Sequence, residues 1–545
     1  MKKEVILVAA VFLLAFWLRI VGILTVPSGL NADEAAIGYN AYSLLETGKD
    51  EYGAAFPLVF KSFGDYKPGI YFYLTMPFVK VFGLTELAVR LPSIILGSFT
   101  TLIVYFLAKE LLMRPAIIFM ALLAISPWHL HFSRGGWETN LATFFITAGG
   151  YLYLKAVRTK NFKLMALAVL SAVISLYSYH SARIVVPVLF AGLTLIYWPK
   201  IKEAFPVKKI LTLGVIGFLL VFPVFLMMFG EAGRARFTGV GIFSDTGPLV
   251  QVNELRGEHQ NQTSITAKIF HNKPVAYLAN FFGHYFDHYT ADFLFINGDV
   301  IERNKVPLMG QMYLIELPFL LAGIYFMIRR ADSSSAMVFW WLAVAPLAAS
   351  MTYQTPHALR ALNMVIPLTF LTGFGVGGII GGIKKILFKK LTIGFLIFLF
   401  LLSFAHYAHL YYIHLPMRYP LSSEYGFSET INYVGSIDKD AEKIIVTDYY
   451  DQPYILWLFY LKYPPKDYQP QAKLTPRDKF GFGTVRNFGK YEFRPIDWEK
   501  DKNLSNVIIV AAPSEIKTKI DPLEIVSEKT IYFPNGEAAF RVIKK

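Results

Sequence analysis

The sequence predicts a polytopic α-helical membrane protein of about eleven spans with a small α/β domain at its C-terminal end. Three observations predict it. The 545 residues are 54% hydrophobic and only 17% charged, whereas a soluble chain carries about 25% charged residues. Long apolar runs recur along the first 420 residues, with Lys and Arg gathered at alternate connections between them. Beyond residue 420 the texture changes to short β-branched runs separated by turns.

The spans follow in order as 5–24, 86–112, 116–132, 139–157, 163–178, 184–198, 209–229, 311–328, 336–350, 361–382 and 391–413. A crossing helix needs roughly 20 apolar residues, so several of these runs sit at the short end. Lys2 and Lys3 precede the first run, and no small-residue cleavage site follows it, so it reads as an uncleaved span. Basic residues at Arg114, Lys155 to Lys163, Lys200 to Lys209, Arg329–Arg330 and Lys384 to Lys390 mark one face as cytoplasmic. The N-terminus is then inside and the C-terminus outside, the arrangement expected of a multi-pass plasma-membrane protein. The segment "KPGIYFYLTMPFVKVFG" would invert this pattern if it crossed; it reads as an interfacial or half-inserted helix on the outer side.

The chain thus divides into a membrane domain, 1–420, with outer loops 25–85 and 230–310, and an extracytoplasmic α/β domain, 421–545. In the latter "EKIIVTDYYD", "SNVIIVAAP" and "AAFRVIKK" read as strands and "PYILWLFYLKY" as an amphipathic helix. A net charge of +14 is accounted for by the basic loop residues, which excludes nucleic acid as the expected partner; the bilayer is the partner instead. With no Cys in the chain, disulfides, thiolate metal sites and a Cys nucleophile are excluded.

The outer connections hold the chemistry. In "VPSGLNADEAAIGYNAYSLLETG", Asn31 caps a helix, Glu34 completes a capping box, and Gly48 ends the helix. This is how a plain surface helix begins. It also leaves Asp33 as the freer carboxylate, held in a fixed direction where a base could take a proton from an acceptor hydroxyl. Lys67, in "GDYKPGIYFYL", is either a snorkelling anchor or an ammonium for a phosphate, on backbone that Pro68 keeps extended. The connection "SPWHLHFSRGGWETNLATFF" brings His131, Arg134 and Glu138, with Trp128 and Trp137 expected in an interfacial belt. His180, His357 and Arg360 fall in two further outer turns, and Arg360 either snorkels or grips a phosphate through its planar fork. Acids and cations on one outer face suit a sugar joined by phosphate to a membrane lipid. The phosphate leaves as an anion that cations can stabilise, so a single base suffices for the acceptor.

On "ADEAAIGYNA", "DYKPGIYFYL", "ELAVRLPSIILG", "HLHFSRGGWETN" and "PHALRALNMVIP", the chain resembles membrane glycosyltransferases of the GT-C class, near protein O-mannosyltransferases and lipid A aminoarabinose transferases. The resemblance implies inverting transfer of a sugar from a polyprenyl-phosphate donor to an acceptor hydroxyl, or to an amine-bearing lipid, glycan or protein, on the non-cytoplasmic face. It implies Asp33 as the catalytic base, and Lys67 and Arg360 at the donor phosphate; from the residues themselves, Glu34 is expected to support the loop or the sugar and Arg134 to join the cations at the phosphate. Glu138, Tyr66, His131, His180 and His357 then fall to the sugar or acceptor. No cofactor is required by this chemistry; a divalent ion, Mg or Mn, between Asp33 and Glu138 stays open. The rival readings are a transferase that uses a lipid-diphosphate oligosaccharide, a receptor or scaffold displaying its C-terminal domain, and a transporter or flippase, whose ionisable groups belong near the bilayer midplane.

Overall fold

A computed structural model describes residues 2–230, 233, 239, 241–478, 481–516 and 525–545. The start of the expected outer loop 230–310, through residue 240, lies largely outside the described residues. The chain forms two compact units, Met1–Arg19, Leu96–Ser133 and Glu138–Tyr407 in one, and Ile20–Ile95, Arg134–Trp137 and Ala408–Lys545 in the other. The outer segment expected at 25–85 therefore folds with the C-terminal residues as one body.

The first unit is helical. Among the described residues, six helices of the chain are long and apolar enough to cross a membrane: Glu86–Glu110, Ala182–Ala204, Val207–Phe229, Ser333–Ser350, Leu362–Gly382 and Ile386–Arg418. They coincide with six of the eleven expected spans. Others of the eleven are shorter or broken for visible reasons. The run 116–132 is split into Ile117–Ile125 and Pro127–Ser133, because Pro127 has no N–H to continue the first helix. Phe162–Leu176 has 15 residues, about 22 Å at 1.5 Å per residue. Val207–Phe229 buries only Leu213 and Val224 against protein; its apolar flank is what a lipid-facing helix presents. Elsewhere helices touch through backbone. A Cβ on Gly375 would lie 1.9 Å from the Phe319 carbonyl oxygen, and one on Gly323 would lie 1.8 Å from that of Leu371. Only glycine permits this approach of helices Leu317–Arg330 and Val365–Gly382.

The second unit is built on a six-stranded sheet ordered β4-β5-β3-β6-β8-β7, with β3 (Lys443–Val446), β4 (Asn487–Phe488), β5 (Tyr491–Phe493), β6 (Val507–Ala511), β7 (Ser527–Tyr532) and β8 (Ala538–Lys544). β3 lies parallel to both β5 and β6, and β8 runs antiparallel to β6 and β7. Every residue of β6 is buried, as a central strand covered on both faces must be. The strands legible at 443–446, 507–511 and 538–544 are all present.

The expected amphipathic helix is a correction. Pro453–Tyr460 is buried on all sides from Pro453 to Phe459, since it fills the space between the sheet and helix Ala32–Thr47. Trp457 meets Tyr491 and Phe493 of β5, at 5.1 and 6.3 Å between ring centroids. On the opposite side a Cβ on Gly38 would lie 2.5 Å from the Phe459 ring. The belt reading of two tryptophans is corrected as well. Trp128 is fully buried, and its Nε1–H donates to the Ala358 carbonyl at 3.1 Å. Trp137 is 6% exposed. Protein, not headgroup, surrounds both.

Candidate active site

Helix Ala32–Thr47 begins as the sequence dictates. The Asn31 side chain accepts the Glu34 N–H at 3.0 Å, and Glu34 Oε2 accepts the Asn31 N–H at 3.3 Å. Gly48 closes the other end in the left-handed conformation, φ 69°, with its N–H on the Leu44 carbonyl. A third acid supports the first turn, as Glu424 Oε1 accepts the Ala32 N–H at 2.9 Å. Carboxylates at a helix N-terminus are favoured by the positive end of the dipole.

The two adjacent acids have different surroundings. Glu34 has a side chain 2% exposed. Its Oε1 accepts from Arg90 Nε at 3.0 Å and from the Gly136 N–H at 2.7 Å. Its Oε2 accepts from the Asn31 amide at 3.0 Å and from Arg90 Nη2 at 3.4 Å. Arg90 is fully buried; its guanidinium also donates to the carbonyls of Ile23, Gly29 and Pro27 and lies 3.6 Å from Glu86. Glu86 in turn accepts from the Tyr460 hydroxyl at 2.7 Å. A buried pair satisfied this completely is a mechanical anchor. Asp33, by contrast, keeps 31% of its side chain exposed and is ion-paired to Lys67.

Lys67 is placed by a two-stranded antiparallel hairpin, β1 (Val59–Ser62) with β2 (Asp65–Pro68), in which Lys67 faces Phe60 and Tyr66 faces Lys61. Gly69 follows, and the 13-residue helix Ile70–Phe82 starts directly after it. At about 20 Å that helix is too short for a crossing of about 30 Å. The Lys67 ammonium lies 5.2 Å from the Phe63 ring centroid, so one wall beside it is apolar. Arg134 belongs to the same unit but is buried: Nη2 donates to the Val26 carbonyl at 2.9 Å, Nε to the Tyr411 hydroxyl at 3.2 Å, and the guanidinium lies over the Tyr411 and Tyr412 rings. Its contacts tie the chain near Val26 to the Tyr411–Tyr412 pair.

Behind the hairpin sits a buried carboxyl that the sequence did not single out. Glu51 Oε1 accepts from the Asn40 amide at 2.9 Å, while Oε2 has no partner among the described residues. Burial pushes its pKa up to about 8 against the pull of the Asn40 hydrogen bond. Its folded pKa exceeds the unfolded value, so the unfolded chain loses this proton first as pH rises. Stability then falls between about pH 4.5 and 8. Glu51→Gln keeps the Asn40 bond and removes the ionisation. The thermal midpoint is expected to be unchanged near pH 4.5 and raised at pH 8, read by unfolding of the two proteins in the same detergent.

The remaining expected residues lie in the first unit. Glu138 is buried at the start of helix Glu138–Thr159. His131 Nε2 is 2.8 Å from the Arg303 carbonyl. His180 is half-buried beside the Tyr179 ring. Arg360 Nη1 donates to the Thr352 hydroxyl at 2.7 Å. His357 is buried, with Nδ1 3.8 Å from Asp299. Asp299 organises this turn by accepting the Ala358 N–H at 2.5 Å, the Asn304 amide at 3.0 Å and the Ile301 N–H at 2.8 Å. Burial raises its pKa and these donors oppose the rise. Burial also lowers His288 to about 4. With Nδ1–H bonded to the His284 carbonyl, its neutral Nε2 accepts the His357 N–H at 3.1 Å. Among the described residues no group of three or more His, Asp or Glu side chains is arranged to hold a metal ion.

Beside Glu51, two further residues, Arg90 and Asp299, matter here without having been singled out in the sequence. Arg90 carried a signal, since Glu86 and Arg90 form an i,i+4 charge pair at the mouth of an apolar run. Asp299 carried none, because the Ala358 N–H that ties it to the His357–Arg360 turn lies 59 residues away.

Residues 66–227 match the sequence family described as dolichyl-phosphate-mannose-protein mannosyltransferase. Comparison with curated protein sequences finds no match. Among solved structures the chain is similar to ArnT from Cupriavidus metallidurans bound to undecaprenyl phosphate, at 13% identity, covering 100% of this chain and 98% of that one, with a TM-score of 0.53. It is similar also to the oligosaccharyltransferase AglB from Archaeoglobus fulgidus in complex with an inhibitory peptide and a dolichol-phosphate, at 12% identity, covering 99% and 74%, with a TM-score of 0.52. The chain thus shares, over nearly its whole length, the fold of GT-C-class membrane glycosyltransferases, as the resemblance in its sequence implied.

Proposed function

We propose that the protein is a multi-pass membrane glycosyltransferase that moves a sugar from a polyprenyl-phosphate carrier to a hydroxyl or amine of a lipid, glycan or protein acceptor, on the non-cytoplasmic face of the plasma membrane. The observation that carries this reading is the asymmetry of the acid pair. Glu34 is buried and fully engaged, while Asp33, one residue before it on the same rigid turn, is part-exposed and touches an ammonium. That is the arrangement needed to hold one carboxylate at a reacting centre and one cation beside it.

Asp33 takes the proton of the acceptor hydroxyl as its oxygen attacks the anomeric carbon. The bond from that carbon to the phosphate oxygen breaks, and its electron pair leaves on the phosphate, with inversion. Lys67, which has three N–H donors, turns from Asp33 to the departing phosphate, where a positioned donor is worth about 3 kcal/mol of barrier. Glu34 and Arg90 act through the backbone by fixing where Asp33 stands. Arg134 and Arg360 belong to the same reading at the phosphate, and Glu138, Tyr66, His131, His180 and His357 at sugar or acceptor, as do the eleven crossings with the N-terminus inside. The polyprenyl phosphates bound to the two structural neighbours, undecaprenyl phosphate on ArnT and dolichol-phosphate on AglB, support a polyprenyl-phosphate carrier.

The test is a panel of polyprenyl-phosphate sugars added to the purified protein. One of them is expected to raise the thermal midpoint, by linkage about 2.7 kcal/mol at 100 times its Kd, and Lys67→Met to remove most of that rise. No response to any member, or an equal response from the Lys67 variant, overturns the reading.

A further inference from the structure

The second unit contains an open cleft of about 600 Å³ that the transfer step does not use. One wall is the chain at Ser28, five residues before Asp33. The other is helix Phe427–Ile437 with Lys529 of β7. The helix buries Phe427, Thr430, Ile431 and Val434, so its 3.6-residue period turns Glu429, Asn432 and Tyr433 toward the cleft. Gly426, at φ 93°, makes the turn that starts it, and the Phe427 ring packs on Phe540 at 4.9 Å. The platform is therefore rigid.

Its chemistry is that of a polyol site. Glu429 and Lys529 are 3.2 Å apart, so their charges cancel and the cleft does not select an anion. Lys529 Nζ lies 4.6 Å from the Tyr433 ring centroid and has two N–H groups beyond the one that meets Glu429. Asn432 offers both a donor and an acceptor, and Tyr425 offers half-exposed ring surface. Ser28 Oγ is buried at the cleft wall without a partner among the described residues, a hydroxyl left unsatisfied until something bonds to it. Donors, acceptors and ring surface with no net charge match a saccharide, which presents hydroxyls on its rim and C–H groups on its faces.

The cleft is joined to the base. A Cβ on Gly29 would lie 2.0 Å from the Ser423 carbonyl oxygen, and Glu424, next along, holds the Ala32 N–H. Five residues of chain reach at most about 18 Å. We infer that this cleft is a saccharide subsite that seats the acceptor with one hydroxyl directed to Asp33; the catalytic half of this inference rests on the glycosyltransferase reading above.

The experiment uses the full chain in nanodiscs, with neutral hexose and pentose oligosaccharides and a Ser/Thr-rich peptide as probes, read by saturation-transfer NMR and calorimetry. Saturable binding of an oligosaccharide is expected, weakened about 10-fold, the loss of one or two hydrogen bonds, in each of Asn432→Ala and Lys529→Gln. Both side chains are at the surface, and an unchanged thermal midpoint confirms folding. Donor-induced stabilisation is expected to be the same in both variants. Binding of the peptide alone, binding unaffected by either variant, or no saccharide binding overturns the subsite. Loss of the donor response while saccharide binding persists overturns the glycosyltransferase reading and leaves the cleft standing.

Discussion

Asp33→Asn is expected to lower the rate of sugar transfer by about 10²–10⁴-fold, the range for removal of a general base, while the protein remains folded. The side chain is part-exposed and lies at the first helical turn, and Asn is itself well tolerated at helix starts, so the thermal midpoint should hold. Donor affinity should not weaken. Asp33 is the carboxylate that engages the Lys67 ammonium, and Asn, having no charge, competes less well for it than the phosphate does. A fall in kcat with an unchanged or smaller KM for the donor therefore separates a base from a donor ligand. The two constants, measured with a fixed acceptor, make that distinction. Transfer at the native rate would remove Asp33 from the chemistry.

Arg90→Ala is expected to act in the opposite manner, on folding first. Removing the guanidinium leaves Glu34 charged and buried, together with the carbonyls of Ile23 and Gly29 that Arg90 satisfies. Breaking a buried pair from one side costs about 3–5 kcal/mol. Arg90→Lys keeps the charge but loses the planar fork that reaches Glu34 and three carbonyls together, so an intermediate loss is expected. Thermal unfolding in one detergent, with Asp33→Asn as the reference, measures both. A native midpoint for Arg90→Ala would mean that the Glu34 network does not hold the turn.

The contrast between these residues shows what could be read from the chain alone. The capping box of Asn31 and Glu34, the stop at Gly48, the extended Lys67 before Pro68 and the tail strands depend on neighbours within a few positions, and local periodicity reports such contacts. The anchoring of Glu34 by Arg90 joins residues 56 apart, and the hold of Glu424 on Ala32 joins residues 392 apart. No local pattern encodes those. Helix Pro453–Tyr460 and Trp128 were misread for the same reason: an apolar segment looks alike whether it meets lipid, headgroup or protein on its far side. The GT-C resemblance was legible because its motifs cluster at helix starts and turns, where few residue types satisfy the backbone.

The most direct test of the Asp33–Lys67 site is to follow a polyprenyl-phosphate sugar labelled with ¹³C at its anomeric carbon, incubated with the native chain and acceptor. The expected result is transfer of the label to the acceptor with the anomeric configuration inverted, the phosphate staying with the lipid. Retention of configuration would contradict direct attack by an oxygen that Asp33 deprotonates, and a label that never leaves its carrier would contradict the donor itself.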